Sequence, residues 1–364
     1  MPKSIELAAL VPSAGISVHG NASRAECART GAIMKLAHRR QFLHLATGAV
    51  VLPAAARFAK AQAYPTRPIT MIVPFAAGGP SDVSARIVSE HMSRTLGQRL
   101  VVENVVGAGG TTGSLRAMRA NPDGYTIQMG HLGTHAISVS LYPNLAYKPD
   151  ADFEPIGVVV HQPILIATRR DFPAQDIKEF IAYVKANAEK LNMAHTGVGS
   201  NSFSYALVLN ATLGTKPTMV PFGSNAPAMT ALLGGQVDYF MATILDVSSH
   251  YGSGAVKVFA FGGTKRHPTL PNVPTTKEAG LPNLDSSPWW ALFAPKGTAQ
   301  PILDSLSAAL DKALDDENTR KRLLELGGDV PDKEMRGPQQ LAMLVKSDIA
   351  RWTPIIKAAN VRAE

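Results

Sequence analysis

Cysteine is almost missing from this chain: Cys27 is the only one in 364 residues. That excludes a disulfide scaffold and a cysteine-ligated metal centre. Aromatic residues are sparse at 6%, so a core has to be built from Val, Ile, Leu and Ala. The moderately apolar run at residues 45–52 falls well short of the about 20 residues that span a bilayer. Acidic residues are outnumbered, for a formal net charge of +8. The excess is local, because residues 1–63 hold eight Lys and Arg against two Glu, a net of +6, which leaves +2 from Tyr64 onward. So balanced a remainder excludes a phosphate-gripping nucleic-acid surface. The chain also lacks G-x-S-x-G, H-E-x-x-H and G-K-[ST], the signatures of serine hydrolases, zinc proteases and P-loops.

The basic N-terminal segment is ordered like an export signal. Arg39-Arg40-Gln41-Phe42-Leu43 has the twin-arginine form, the apolar run follows, and Ala61-Gln62-Ala63 is an A-x-A cleavage site before Tyr64. Arg57 and Lys60, between run and site, suit the twin-arginine route. Residues 1–63 are therefore expected to be a leader cleaved after Ala63, with Met1 and Met34 as candidate starts and Cys27 lost with it. The mature protein is expected in the periplasm, and a monomer is the default.

From Tyr64 on, 45% apolar and 18% charged residues overall suit a packed globular protein. Short apolar runs alternate with amphipathic stretches, the pattern of βαβ units and a largely parallel sheet. Residues 69–75 read as a strand buried on both faces, followed by a helix carrying Ala85, Val88, Met92 and Leu96 at helical spacing. Asp176-Ile177-Lys178-Glu179 matches a capping box. A second α/β series begins after Pro163, and residues 289–294 return as a late strand. This predicts two lobes, the first discontinuous: residues 64–165 with 286–364, and residues 166–285.

Three glycine-rich loops fall at strand-to-helix junctions, at residues 77–82, 107–113 and 197–202. Glycine lets backbone N–H groups converge, and a helix N-terminus adds partial positive charge, so each loop suits an anion. The plain alternative is that they only make tight turns. Of the histidines after the leader, His131 and His135 are four apart and suit one helix face, but they lack a third ligand. Neither a metal nor a cofactor is expected. Asp82 suits a helix start, and Trp289-Trp290 suits core packing at the lobe junction, with one ring able to wall a cleft.

At these loops the sequence resembles the tripartite tricarboxylate transporter receptors, the Bug-type extracytoplasmic solute receptors. The likeness runs through Val73-Pro74-Phe75-Ala76-Ala77-Gly78-Gly79-Pro80-Ser81-Asp82, Asn121-Pro122-Asp123-Gly124-Tyr125, Leu232-Leu233-Gly234-Gly235-Gln236-Val237-Asp238 and Ala294-Pro295-Lys296-Gly297-Thr298. It implies an α/β, two-lobed periplasmic-binding-protein-like fold of type II, with a ligand cleft between the lobes. It further implies a non-enzymatic receptor for a small carboxylate, a di- or tricarboxylate or an aromatic acid, with a tripartite-type membrane permease as partner. By the same resemblance the ligand-binding residues are Phe75, Ala76, Gly78, Gly79, Ser81, Asp82, Gly197, Gly199, Ser200, Asn201 and Thr243. The family often has aspartate where Thr243 stands, and histidine is common where Phe203 and Ser204 lie. The alternatives are a secreted α/β enzyme using His131 or His195, and a sensor that presents its ligand without a permease.

Overall fold

The structure, a computed structural model, describes residues 64–363 apart from 282, 283, 285 and 286. The expected leader, and the expected lobe boundary at 285/286, lie outside the described residues. The described residues form one compact unit.

The chain opens with β1 (Ile69–Val73), α1 (Pro80–Leu96), β2 (Leu100–Asn104), α2 (Thr111–Met118) and β3 (Thr126–His131). A π-helical turn at Gly133–Ile137 runs into the short α3 (Ser138–Leu141), and β4 (Phe153–His161) follows. The chain then crosses to a second sheet through β5 (Leu165–Arg169), α4 (Ile177–Asn187), β6 (Asn192–His195) and α5 (Asn201–Leu213). That sheet is completed by β7 (Thr218–Pro221), α6 (Asn225–Leu233), β8 (Tyr239–Ala242), α7 (Ile244–Tyr251) and β9 (Val256–Phe261). It returns as β10 (Trp289–Pro295) and ends in α8 (Gln300–Asp315), α9 (Glu317–Glu325) and α10 (Pro338–Ala358).

The strand orders are β2-β1-β3-β10-β4 and β7-β6-β8-β5-β9. In each sheet one inner strand runs against its neighbours, and in each it is the strand made just after the chain crosses over: β10 in the first, β5 in the second. The sheets are thus mixed: the expectation drawn from βα alternation finds both crossing strands but misses that each runs antiparallel to its neighbours. The two crossings lie side by side, joined by Gln162 N–H to Pro288 O at 2.9 Å and Gly262 N–H to Ile164 O at 2.7 Å. A Cβ on Gly262 would meet Ile164 O at 2.9 Å, so this close approach requires glycine.

Alternation along β1 explains how its sheet is buried twice over. Ile69, Met71 and Val73 pack with Ala85, Val88 and Met92 of α1 and Leu306 and Leu310 of α8, while Ile72 joins Leu341 and Trp352 of α10 on the other face. In the second sheet Leu165 and Ala167 face α6 and α7, and Ile166 faces Phe180 and Val184 of α4. With both faces covered, each sheet meets solvent at its edge strands and at its loops. Only half of the capping box expected at α4 forms: Glu179 N–H donates to Asp176 Oδ1 at 2.8 Å, while the Glu179 carboxylate accepts from Gln175 N–H at 2.8 Å instead of from Asp176 N–H.

Candidate functional site

The strand ends of the two sheets face each other across a cavity of about 540 Å³, counting the space at its mouth. Its interior is narrow. Phe75, Ala76, Gly79, Pro80, Ser81, His131 and Trp290 line it from the first sheet's side. Thr196, Ser200, Asn201, Ser202, Gly223, Ser224, Asn225, Met241 and Thr243 line it from the second, with Ile164 at the crossing. Among these lining residues there is no Lys, Arg, Asp or Glu.

What converges on the cavity instead is helix N-termini. Gly79, Ser200, Ser224 and Thr243 are the N-cap residues of α1, α5, α6 and α7, and all four line the wall. The first-turn N–H groups of a helix have no intrahelical partner, and the helix dipole adds partial positive charge there. Four such ends beside one narrow space suit an anion without a cation, although at α7 the Asp246 carboxylate already takes the Thr243 N–H and at α5 Ser200 Oγ takes that of Phe203.

The loops that set these ends are held by local hydrogen bonds. Asp82 accepts from Gly78 N–H at 2.9 Å, from Arg86 Nε at 3.0 Å and from Asn104 Nδ2 at 3.0 Å. Asn104 Nδ2 also donates to Phe75 O at 2.8 Å, which ties both ends of the 75–82 loop to one amide. Burial would raise the Asp82 pKa, but Arg86, the Gly78 N–H and Asn104 outweigh it and hold the carboxyl below its ordinary value. In the second loop Ser200 Oγ donates to Gly197 O at 2.7 Å and accepts from Phe203 N–H at 3.2 Å, while Thr196 N–H donates to Ser202 Oγ at 2.9 Å. Gly78, Gly197 and Gly199 have φ of +82°, +100° and +89°, the left-handed region that glycine adopts without strain.

Of the residues expected to bind ligand, the structure brings Phe75, Ala76, Gly79, Ser81, Ser200, Asn201 and Thr243 to the cavity wall. Gly78, Asp82, Gly197 and Gly199 are not in that wall. Their observed part is to shape the loops behind it. The loop at 107–113 is also outside the wall and packs against the loop at Val198. A Cβ on Gly109 would lie 2.0 Å from Val198 O, and Tyr142 Oη lies 2.9 Å from Ala108 O and 3.1 Å from Val198 O, able to donate its proton to either.

Sequence reasoning passed over His131 as a site residue. It ends β3 and does not share a helix face with His135, which sits in the following π turn. Gly133 N–H donates to His131 Nδ1 at 2.8 Å, so the neutral ring carries its proton on Nε2. Burial pushes the ring's pKa down to about 3, which keeps it neutral. Phe75 stacks beside it at 4.8 Å, and Trp290 lies 6.1 Å away on the other side of the wall. Trp290 Nε1 donates to Ser81 Oγ at 2.7 Å, which leaves the Ser81 hydroxyl proton free to donate elsewhere. The tandem tryptophans divide as their sequence position suggested: Trp289 is core, donating to Asp348 at 2.7 Å, and Trp290 walls the cleft. The signal for His131 was its place at the end of an apolar strand, next to a glycine.

Residues 84–361 match the sequence profile of the tripartite tricarboxylate transporter family receptor. The chain belongs to that family. Among its relatives is a UPF0065 protein of Agrobacterium vitis, 38% identical over 320 residues, covering 88% of this chain and 92% of the relative. Solved receptor structures share the fold. MatC of Rhodopseudomonas palustris, with bound malate, is 45% identical with a TM-score of 0.77, over 80% of this chain and all of its own. The periplasmic binding protein BugD is 42% identical with a TM-score of 0.78, over 83% of this chain and all of its own. Like them, this receptor has two lobes, and its cavity lies between them.

Proposed function

We propose that this receptor is exported to the periplasm, captures a small carboxylate between its lobes and delivers it to a tripartite-type permease, without catalysing a reaction. The observation that carries the reading is the convergence of four helix N-termini on one uncharged, narrow cavity. Hydrogen bonds to a charged group contribute about 1.5–3 kcal/mol each, so a few such donors reach the about 8 kcal/mol of micromolar binding after the cost of closure. The one titratable side chain in the wall, His131, is neutral with its Nδ1 already occupied, which supports binding over acid–base chemistry. Export is supported by the twin-arginine leader pattern and by likeness to BugD, a periplasmic binding protein; the carboxylate, by likeness to malate-bound MatC. The lobes proposed here are residues 64–165 with 286–364, and residues 166–285, closing about the paired crossings by a hinge motion.

The test is a thermal-shift screen against dicarboxylates, tricarboxylates, aromatic acids and uncharged sugars. A ligand at about 100 times its Kd stabilises by about 2.7 kcal/mol, readily seen as a raised Tm. Stabilisation by sugars and by no carboxylate would overturn the reading.

A further inference from the structure

The cavity wall is uncharged, but two carboxylates stand behind it, each in the first turn of a helix whose N-cap lines the wall: Asp82 in α1 and Asp246 in α7. Asp82 has a counter-charge, Arg86 at 2.9 Å. Asp246 has none among the described residues. Its Oδ2 accepts from Thr243 N–H at 2.7 Å, from Thr243 Oγ1 at 2.8 Å and from Asn225 Nδ2 at 2.8 Å. The elements packed around it supply no cation. α6 has no titratable residue, and β8 has only Tyr239, which packs on Phe180. Lys257 of β9 donates to Phe172 O and Ala174 O, and the turn after α9 meets α7 through Gly327 and Ile244. On α7 itself His250 and Tyr251 lie a turn further on, and neither bonds Asp246. Three dipoles rather than a cation therefore hold this carboxylate, and burial pushes its pKa above the ordinary value.

Thr243 and Asn225 both line the cavity, so Asp246 is one side chain removed from it. Through these bonds it also ties Asn225, the first residue of α6, to Thr243, the N-cap of α7, which fixes two helix ends of the wall against each other. We propose that Asp246 is a positioning residue that couples capture to proton uptake: it locks the α6 and α7 ends in place, and its uncompensated charge opposes the bound anion until a proton neutralises it. This rests on the carboxylate reading and deepens it. A like charge nearby disfavours the ionised form, so an anion in the cavity strengthens the hold on a proton that burial already favours. The proton goes to Oδ1, because Oδ2 is filled by three donors and no hydrogen bond reaches Oδ1 among the described residues. Linkage is reciprocal, so affinity for the anion rises as pH falls through the range in which Asp246 protonates. Asp82 takes no part, because Arg86 already balances it.

The experiment is titration calorimetry of the wild type and Asp246→Asn with whichever of malate, citrate, adipate and benzoate binds. It is run in buffers of different ionisation enthalpy between about pH 8 and about pH 5, above the ordinary aspartate range. The amide keeps an oxygen for the three donors and removes the charge. The wild type is expected to take up more protons on binding than the variant, and the ligand's own titration cancels between the two. At about pH 8 Asp246→Asn is expected to bind about tenfold tighter, an advantage that narrows toward about pH 5 as the wild-type carboxyl protonates. A purely structural role would instead change the variant's affinity by one factor at every pH. That outcome, or equal proton uptake by both proteins, overturns the coupling and leaves the carboxylate reading standing. Should the variant not fold, difference infrared spectroscopy of the wild type decides: a protonated-carboxyl band gained on binding supports the coupling, and no gain overturns it. Binding of none of the four acids overturns both readings.

Discussion

His131 closes β3 with one ring nitrogen tied to Gly133 and the ring packed beside Phe75. Its neutrality has a pH signature. Burial drops its pKa from 6.5 to about 3, so the unfolded chain takes up a proton below about pH 6.5 that the folded protein refuses. The stability His131 contributes is whole above that pH and is lost as pH falls toward 3. His135 and His195, also lowered by burial, act in the same direction; Asp246 and Asp348, raised by burial, act oppositely at lower pH. The quantity to read is thus a difference. Between about pH 7.5 and about pH 5.5 the wild-type Tm should fall more steeply than that of His131→Asn. Parallel slopes would show that His131 is protonated without cost and that its burial is not maintained in solution. Little of this was open to sequence reading, because Gly133 fixes the tautomer by a backbone contact and Trp290, which orients Ser81, is 209 residues away from it.

At the level of elements, the loops on the two sides of the cleft meet backbone against backbone. Gly109 and Gly133 face Val198 O and Gly199 O so closely that a Cβ would lie 2.0 and 2.3 Å from those oxygens. Gly109 also has φ of +61°. Gly109→Ala is expected to hold these loops apart. Affinity should fall about tenfold or more, while stability changes by only the about 1 kcal/mol of a left-handed alanine. Calorimetry paired with thermal unfolding checks this, and unchanged affinity would show that binding does not need this contact. The glycine loops were legible in the sequence, since three strand-to-helix turns in register stand out against apolar runs. Their division of labour was not: the loop at 107–113 resembles the other two in composition, and only its position against Val198 sets it apart. β4 was not legible either, because Pro155 and Gly157 interrupt its apolar pattern. Neither was the direction of β5 and β10, which is fixed by partners far away in the chain.

At the level of the whole molecule, the strand orders allow one lobe to be assembled from a continuous stretch of chain and deny it to the other. The second sheet takes β5 to β9 in sequence, but the first keeps β10 between β3 and β4, and among the described residues β4 has no strand partner except β10. As the chain emerges from its N-terminus, β1, β2 and β3 can pair while β4 waits with both edges bare until residue 289 arrives. Unpaired edges are where chains aggregate, so this order exposes a hazard that ends only near the C-terminus. Pulsed hydrogen exchange during refolding should protect the amides of β6 and β8 before those of β4. Simultaneous protection would mean that both sheets form in one cooperative step. The paired crossings, described above as a hinge, thus also set a timetable: the lobe begun first is the lobe completed last.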